Sequence, residues 1–365
     1  MTYPEDPRVF QVKQIPMTEL VHRLGISRLR PMGAELIGPC PLCGGRDRFG
    51  INLRSDAFQC RKCDLKGRDQ IALIRGVAGL GFKDALTWAC GDEPAEISEA
   101  ERKRRLKRSE DVRREQNRYR QKAINAARAI WQNARPGHLG VVAAYMNARG
   151  IDVDRLPVPG VPAALRFMLD HPYVQYIDRK YQTIHRGPCM VAGILNGRDQ
   201  LMAVHRTWVD AAPPHGKAII EHQGQSYPAK LTRGSVKGGA IRLCTPEDAS
   251  VLIMGEGIET TLTAMLADAV PGAAYWAGVS LGNMAGQMRR VKGVKHSARP
   301  EMADDQAFIP PAWVKRLVYI MDGDSDPKKT RASLECGLRR AMAVRPVLTG
   351  EIVHAGEGVD LNDLL

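Results

Sequence analysis

The chain has 365 residues and carries 53 Lys and Arg against 40 Asp and Glu, a formal net charge of +13, with 44% hydrophobic and 25% charged residues. That length accommodates two or three domains with cores of their own, and the composition is that of a globular rather than a disordered chain. No apolar run approaches the roughly 18 residues of a membrane span, and the N-terminus lacks a signal-peptide pattern, so a cytoplasmic protein with no membrane partner is expected. The charge is uneven. Residues 160–245 carry eleven Lys/Arg against five Asp/Glu, whereas residues 246–365 carry thirteen against sixteen. A basic middle beside an acidic end suits an enzyme that holds a polyanion on one surface and metal on another; excess charge for solubility alone is the bland alternative.

In chain order, Pro4 and Pro7 keep the start irregular, and Met17 to Leu24 reads as a short amphipathic helix ended by Gly25. Residues 33–38 lead extended into Cys40-Pro-Leu-Cys43, and Cys60 and Cys63 complete a C-x2-C-x16-C-x2-C pattern. That spacing is the one a tetrahedral structural zinc site takes, and four cysteines leave no open coordination position. The metal is therefore expected to be structural Zn2+, with a redox dithiol as the alternative. The segments Phe49–Leu53 and Ala57–Gln59 alternate enough to be the strands of a zinc ribbon. Arg46, Arg48, Arg54, Arg61, Lys62, Lys66 and Arg68 surround the cysteines, interleaved with Phe49 and Phe58. Cations beside exposed aromatics suit single-stranded nucleic acid. Phe58 reads as ribbon core, and Phe49 as either core or stacking platform. The remaining Cys90, Cys189, Cys244 and Cys336 are scattered, as buried small apolar residues would be.

From Gly67 to Trp88 two short helices are expected to pack on the ribbon. A polar stretch from Glu93 to about Asn133 comes next, with Ser98 as a candidate N-cap and ten basic against four acidic residues in 101–120. It reads as a solvated helix linking two domains, contact with DNA phosphates being the alternative. Its apolar end, Ala123 to Trp131, is expected to dock on the second of those domains. Pro136-Gly137 breaks it, and Val141 to Arg149 forms another helix closed by Gly150. From Phe167 to Leu243 the pattern is one of short strands: 190–195, 200–209, 217–220 and 240–243. Arg186, His205, Arg206, Lys217, Lys230, Arg233, Lys237 and Arg242 lie along it and read as a basic surface, with Gly234, Gly238 and Gly239 letting backbone amides approach phosphates.

The acidic end holds three strand-like runs, the first two apolar, that each lead into an acidic turn. Val251–Met254 precedes Gly255-Glu256-Gly257, Leu317–Met321 precedes Asp322-Gly323-Asp324, and Glu351–His354 precedes the turn holding Asp360, Asn362 and Asp363. Such runs read as buried parallel strands, joined by helices over Ile258–Ala269 and about Lys328–Val344, with a further strand at Ala273–Trp276. Carboxylates at the carboxyl ends of parallel strands face the crevice where open α/β sheets bind ligands. Acids converging there repel one another unless a divalent cation lies between them.

These motifs resemble the Toprim domain, a Rossmann-like α/β domain shared by bacterial-type primases, topoisomerases and some nucleases. The run from Cys40 to Phe49, with Gly67-Arg68-Asp69 after the last cysteine, resembles the zinc ribbon of bacterial, phage and plasmid primases. The Glu-Gly-Ile-Glu-Thr form at 256–260 is closest to phage- and mobile-element-type primases. The resemblance implies an α/β multidomain protein: a zinc-ribbon domain over 1–92, a helical linker over 93–135, a mixed basic subdomain over 136–245 and a Toprim catalytic domain over 246–365. It further implies that Glu256 works as acid/base and metal-site residue, that Asp322 and Asp324 hold Mg2+ or Mn2+, and that Asp360 is the last metal-site acid. Lys230 and Lys237 stand where primases carry cations for nucleotide phosphates and template. Arg46, Arg48, Lys62, His205, Arg206 and Arg233 complete the expected nucleic-acid and nucleotide contacts. Thr260 stands where many primases have Asp, with Glu259 one position earlier, and Asp326 reads as either an additional ligand or a helix cap.

The implied function is a DNA primase that makes short RNA primers on a single-stranded DNA template from ribonucleoside triphosphates. No Walker-type phosphate loop is present, so a replicative helicase would be a separate partner. A Toprim nuclease using the same acids, or a binding module whose acids hold only a structural ion, are the alternatives.

Overall fold

The computed structural model describes residues 6–91, 99–136, 140–268, 270–289, 291, 293–321, 326–354 and 361, without the side chains of 99–106, 108, 109 and 112. The chain packs as two units, residues 1–110 and 111–365.

In the first unit, helices α1 (Pro7–Val12) and α2 (Met17–Arg23) precede an antiparallel sheet of β1 (Arg30–Met32), β2 (Glu35–Cys40), β3 (Gly44–Asn52), β4 (Phe58–Cys60) and β5 (Lys66–Gly67), in that spatial order. Helices α3 (Gln70–Ala78) and α4 (Phe82–Cys90) come after it. Alternation along β3 buries Phe49 and Ile51, which pair across the ladder with Cys60 and Phe58. Both phenylalanines are core: Phe49 is 0% and Phe58 3% exposed, their rings tilted at 6.1 Å. They join Val12, Met17, Leu20, Ile71, Leu73, Ile74, Ala85 and Leu86, a cluster that ties the two-sided ribbon to its helices. So small a sheet has no other way to bury apolar surface, and Phe49 is therefore not a stacking platform. Gly67 is required by close approach, since a Cβ there would lie 2.5 Å from the Phe58 ring and 2.6 Å from Ala72. Asp69 then caps α3 by accepting from the Ala72 amide at 2.8 Å.

Helix α5 (Glu99–Asn133) runs across the boundary between the units, and Ser98, its expected N-cap, lies outside the described residues. Its end behaves as its composition demands. Ala127, Ile130 and Trp131 pack on one face of an antiparallel sheet with Val191, Val204 and Trp208.

That sheet comprises β6 (Arg135–Pro136), then, beyond α6 (Val141–Ala148), β7 (Leu165–Ile177), β8 (Lys180–Leu195) and β9 (Leu201–Trp208). After the small hairpin β10 (Ile220–His222) and β11 (Gln225–Tyr227), strand β12 (Lys230–Gly234) completes it, in the order β12-β9-β8-β7-β6. The strands β7 and β8 are 13 and 16 residues long, not the short pieces expected, because their outer halves form a two-stranded ribbon of polar composition that carries no run of apolar residues. Helix α6 covers the other face with Val142, Tyr145 and Met146.

The last part is α/β. Strands β13 (Ile241–Cys244), β14 (Val251–Gly255), β15 (Ala274–Ala277), β16 (Arg316–Met321) and β17 (Thr349–His354) form one sheet in the order β13-β15-β14-β16-β17. All neighbours but β13 run parallel. Helix α7 (Ile258–Ala267) lies between β14 and β15 in sequence, α8 (Leu281–Ala285) comes after β15, and α9 (Pro327–Val344) joins β16 to β17. The inner strands β14, β15 and β16 are apolar on both faces because both are covered, whereas the edge strand β17 is largely exposed. Ile253, Tyr275, Val318 and Ile320 pack with Ile258, Leu262 and Met265 of α7, while Met254, Trp276, Tyr319 and Met321 pack with Leu334, Leu338 and Ala341 of α9. The apolar runs read from the sequence are these strands to within two residues.

The segment after α8 is held by one buried side chain of α9. Arg340, 1% exposed, donates to the carbonyls of Ala285 at 3.3 Å, Gln287 at 2.9 Å, Glu301 at 2.8 Å and Asp304 at 3.3 Å. No described helix is long and apolar enough to cross a membrane.

Candidate functional site

In the first unit the sulfurs of Cys40, Cys43, Cys60 and Cys63 all lie within 4.8 Å of one another, with Cys40 to Cys63 at 3.6 Å and Cys43 to Cys60 at 3.5 Å. A tetrahedral zinc with bonds of about 2.3 Å sets its thiolates about 3.8 Å apart, so the cluster has the dimensions of such a site. Local backbone produces it. Gly44, at φ 66°, takes the left-handed turn that brings Cys43 back over Cys40, and the amides of Lys62 and Cys63 donate to the Cys60 sulfur at 3.4 and 3.5 Å. The Cys63 amide first, then that of Lys62, pulls the Cys60 thiol down to about 6, while burial, then the Cys60 sulfur beside it, pushes the Cys43 thiol up to about 12. Arg46, Arg54, Arg61, Lys62, Lys66 and Arg68 are exposed around the cluster, and Arg48 is half-buried.

In the second unit β14 delivers Glu256 at its carboxyl end. The turn is tight: the carbonyls of Gly255 and Glu256 accept from Gly278 at 2.8 Å and Val279 at 2.9 Å, and a Cβ on Gly255 would lie 2.8 Å from the Thr261 hydroxyl. Val279 sits at φ 71°, a left-handed conformation that costs a β-branched residue of order 1–3 kcal/mol and clusters at functional sites. The parallel register pairs Met254 with Tyr319, so β14 and β16 end side by side. Asp322, Asp324, Asp360, Asn362 and Asp363 lie outside the described residues. Asp326 caps α9, its Oδ1 accepting from the amides of Lys328 at 3.1 Å and Lys329 at 3.2 Å.

A second carboxylate stands in the first turn of α7. Glu259 is 5% exposed and sits at the helix N-terminus, where the dipole favours an anion. The Tyr145 hydroxyl donates to its Oε1 at 2.6 Å, Lys230 Nζ donates to Oε2 at 3.2 Å, and Lys217 Nζ lies 3.5 Å from Oε1. Burial alone would raise the Glu259 carboxyl; Lys230, then Lys217 and the Tyr145 hydroxyl, outweigh it and hold the group ionised, well below the usual carboxylate range. Burial, then the Glu259 charge, pushes the Tyr145 hydroxyl far up, so it remains a donor. His205 shares the face of Lys230 in the β9–β12 ladder, with its Nδ1 3.2 Å from the Thr232 hydroxyl. Burial, then the Lys230 ammonium, brings its imidazole down to about 4, so it is neutral at neutral pH. Two ammonium groups thus answer one carboxylate, leaving a net positive cluster.

The basic residues expected to form one surface are divided. Successive strand residues face opposite sides, so His205 and Arg206 part company. His205 and Lys230 face α7, whereas Arg206 sits over the Trp208 ring at 5.1 Å and lies 3.3 Å from His171 Nε2, on the side that Leu231 and Arg233 share. Lys237 is exposed in the loop after β12. The residues that sequence reasoning left out of the site are Glu259 and Tyr145. Their one signal was spacing: Glu259 lies on the buried stripe of α7, three residues before Leu262.

Residues 121–243 match the model of a family described as "Domain of unknown function (DUF7146)". No curated protein matches the chain. Among solved structures, the chain is similar to the Aquifex aeolicus primase (zinc binding and RNA polymerase domains) at 12% identity, covering 98% of this chain and 81% of that one, with a TM-score of 0.33. A DNA primase domain from Pseudomonas aeruginosa matches at 11% identity over 66% of this chain and 74% of that one, TM-score 0.37. The primase fragment of the bacteriophage T7 primase-helicase protein matches at 12% identity over 90% and 92%, TM-score 0.28. Likenesses at these scores assign neither chemistry nor residues. The segment that matches the family holds Tyr145, His205, Lys217 and Lys230, and neither the four ribbon cysteines nor Glu256 and Glu259.

Proposed function

We propose that the chain is a DNA primase that joins ribonucleoside triphosphates into short primers on single-stranded DNA. One observation carries the reading: two neighbouring parallel strands each lead into acids, β14 into Glu256 and β16 into Asp322-Gly323-Asp324. In open α/β sheets this carboxyl edge is where ligands bind. Oxygen donors alone, as in Glu256, Asp322, Asp324 and Asp360, are the set that Mg2+ or Mn2+ takes, and of these four Glu256 lies among the described residues. Divalent ions held there supply the neutralisation of the leaving pyrophosphate that nucleotidyl transfer needs.

The chain's own residues supply the rest. The cluster of Lys217 and Lys230 around Glu259 offers ammonium groups whose side chains are 39% and 34% exposed, available to the triphosphate while fixed in place by the buried carboxylate. His205, neutral beside them, adds a hydrogen-bonding group without charge. The zinc-ribbon unit, with Arg46, Arg48 and Lys62 around its four cysteines, supports a role in holding the template strand, as do Arg206, Arg233 and Lys237. Residues 246–365 are on this reading the Toprim catalytic domain, 136–245 its basic partner, 93–135 the linker and 1–92 the zinc-binding domain, with Asp326 near the metal edge as the cap of α9. A separate replicative helicase would supply unwound template.

The test is primer synthesis on mixed-sequence single-stranded DNA with labelled ribonucleotides and Mg2+ or Mn2+, comparing the wild type with Asp322→Ala. Short RNA products that vanish in the variant support the reading. Template cleavage that needs Asp322 replaces it with a nuclease, and DNA binding without either product replaces it with a binding module.

A further inference from the structure

Within the second unit a cleft of ≈ 920 Å³ opens between one face of α5 and the loop after β12, at the upper end of the roughly 300–1,000 Å³ that ligand clefts occupy. Arg113, Asn117 and Arg120 line it from α5 at the three- and four-residue spacing of a single helix face, and Tyr119 stands at its side. Lys237 faces them from the loop, and Asp305 is the acid in the lining. The floor is fastened: Arg120 Nε donates to the Ser235 hydroxyl at 3.0 Å, and the Ser235 amide donates to the Met202 carbonyl at 2.9 Å. Gly234, at φ 111°, lets that loop lie against β9, since a Cβ there would be 2.3 Å from the Met202 carbonyl oxygen.

Three cations against one acid is a poor arrangement for the empty protein and a good one for a polyanion. Among the described residues neither Arg113 nor Lys237 takes part in an ion pair, so both charges are open to a ligand. Tyr119 is 64% exposed, on a helix otherwise polar from Arg113 to Lys122, so core packing does not account for its ring. An exposed aromatic flanked by cations at the mouth of a polar cleft is the combination that holds an unpaired strand: phosphates on the cations, a base on the ring. Duplex DNA hides its base faces and would leave Tyr119 idle.

We infer that this cleft is a binding track for single-stranded nucleic acid, with Arg113, Arg120 and Lys237 on the phosphates and Tyr119 under a base. The inference rests on the primase reading for the identity of the strand as template. It makes α5 beyond Asp111 a working surface and not a spacer.

The experiment is equilibrium binding of a fluorescent mixed-sequence oligodeoxynucleotide to the full chain, without nucleotides or divalent ions, over a range of salt. Wild type is compared with Arg113→Ala, Lys237→Ala and Tyr119→Ala. Lys122→Ala serves as control, an exposed cation on the same helix that does not line the cleft. Removing one phosphate contact lowers the slope of log K against log salt by about 0.7 for a single strand, so Arg113→Ala and Lys237→Ala each show that drop and Lys122→Ala does not. Tyr119→Ala weakens single-strand binding about fivefold or more, the equivalent of one lost stacked base, and leaves duplex binding unchanged. Equal losses from Lys122→Ala and Arg113→Ala would mean a diffuse field and overturn the inference, as would wild-type affinity in Tyr119→Ala. Because no synthesis is involved, a chain that makes no primers but shows this pattern refutes the primase reading alone. One that makes primers with unchanged binding in all four variants refutes the cleft alone.

Discussion

Replacing Glu259 by glutamine tests whether the buried carboxylate organises the cluster around it. The isostere keeps the shape and an acceptor for Tyr145, and removes the charge that Lys217 and Lys230 answer. Breaking a buried ion pair costs about 3–5 kcal/mol when the surviving charge is trapped. Here the lysine side chains are 39% and 34% exposed and recover water, so the expected loss is reduced to about 2 kcal/mol. Four of the five tryptophans, Trp131, Trp208, Trp276 and Trp313, lie in residues 111–365, so urea unfolding tracked by intrinsic fluorescence reports that unit. With a slope of about 3 kcal/mol per molar, the midpoint falls by about 0.7 M. The pH dependence gives a second arm. The Glu259 carboxyl is held below its ordinary value of 4.5 in the folded chain, so its contribution is complete above that pH and is lost as pH falls below it. The gap between wild type and Glu259→Gln is therefore constant from pH 7 to 5 and narrows below pH 4.5. An unchanged midpoint at pH 7, or a gap that stays constant down to pH 3, would refute the account of Glu259 as the charge that holds both lysines.

Elemental analysis should find one zinc per chain, and Cys60→Ser should lose it and render residues 1–110 sensitive to protease; full zinc retention in that variant rules out the four-cysteine site. His171 is 6% exposed and brought down to about 4 by burial, then by Arg206. The folded chain keeps it neutral while the unfolded chain protonates it near 6.5, so stability of order 3 kcal/mol is lost as pH falls from 6.5 to about 4. Its ring resonances by NMR should titrate near 4, and a midpoint near 6.5 sinks the reading. Arg340→Lys should cost about 3 kcal/mol in thermal unfolding, because an ammonium cannot reach carbonyls on both sides of a fork, and wild-type melting would show that the guanidinium is not the anchor.

The parts legible in the sequence were those whose cause is local. Strands β14 and β16 announced themselves as apolar runs ended by an acidic turn, because a parallel strand covered on both faces has nowhere to place a polar side chain. The cysteine spacing was legible because a C-x2-C turn presents two sulfurs to one ion whatever the rest of the chain does. Glu259 was not legible as a hub. Its partners are 29, 42 and 114 residues distant, and only tertiary packing makes a glutamate at the start of an amphipathic helix an interior group. The basic strip between 186 and 242 misled for a related reason: His205 and Arg206 are adjacent in sequence and opposite in space once β9 forms. Phe49 was ambiguous because a ribbon's core and a stacking surface draw on the same residue type, and only the observed burial separates them.

Apart from the Asp304 carboxylate, 3.9 Å away, Arg340 reads main chain in the segment it anchors. Four carbonyls look alike to a guanidinium whatever residues carry them. Exposed positions such as Val294, Lys295 and Met302 are therefore free to exchange their side chains, and with them the charge and shape they show to solvent, whereas the Ser297 hydroxyl, which donates to the Arg289 carbonyl at 2.6 Å, and the buried Ala298 are held by contacts of their own. Changes of length are another matter, since one added residue between Gln287 and Glu301 moves a carbonyl out of reach. Engineered diversity in this part of the chain should accordingly be sought by substitution at fixed spacing, with insertions reserved for the hairpin tip between β7 and β8.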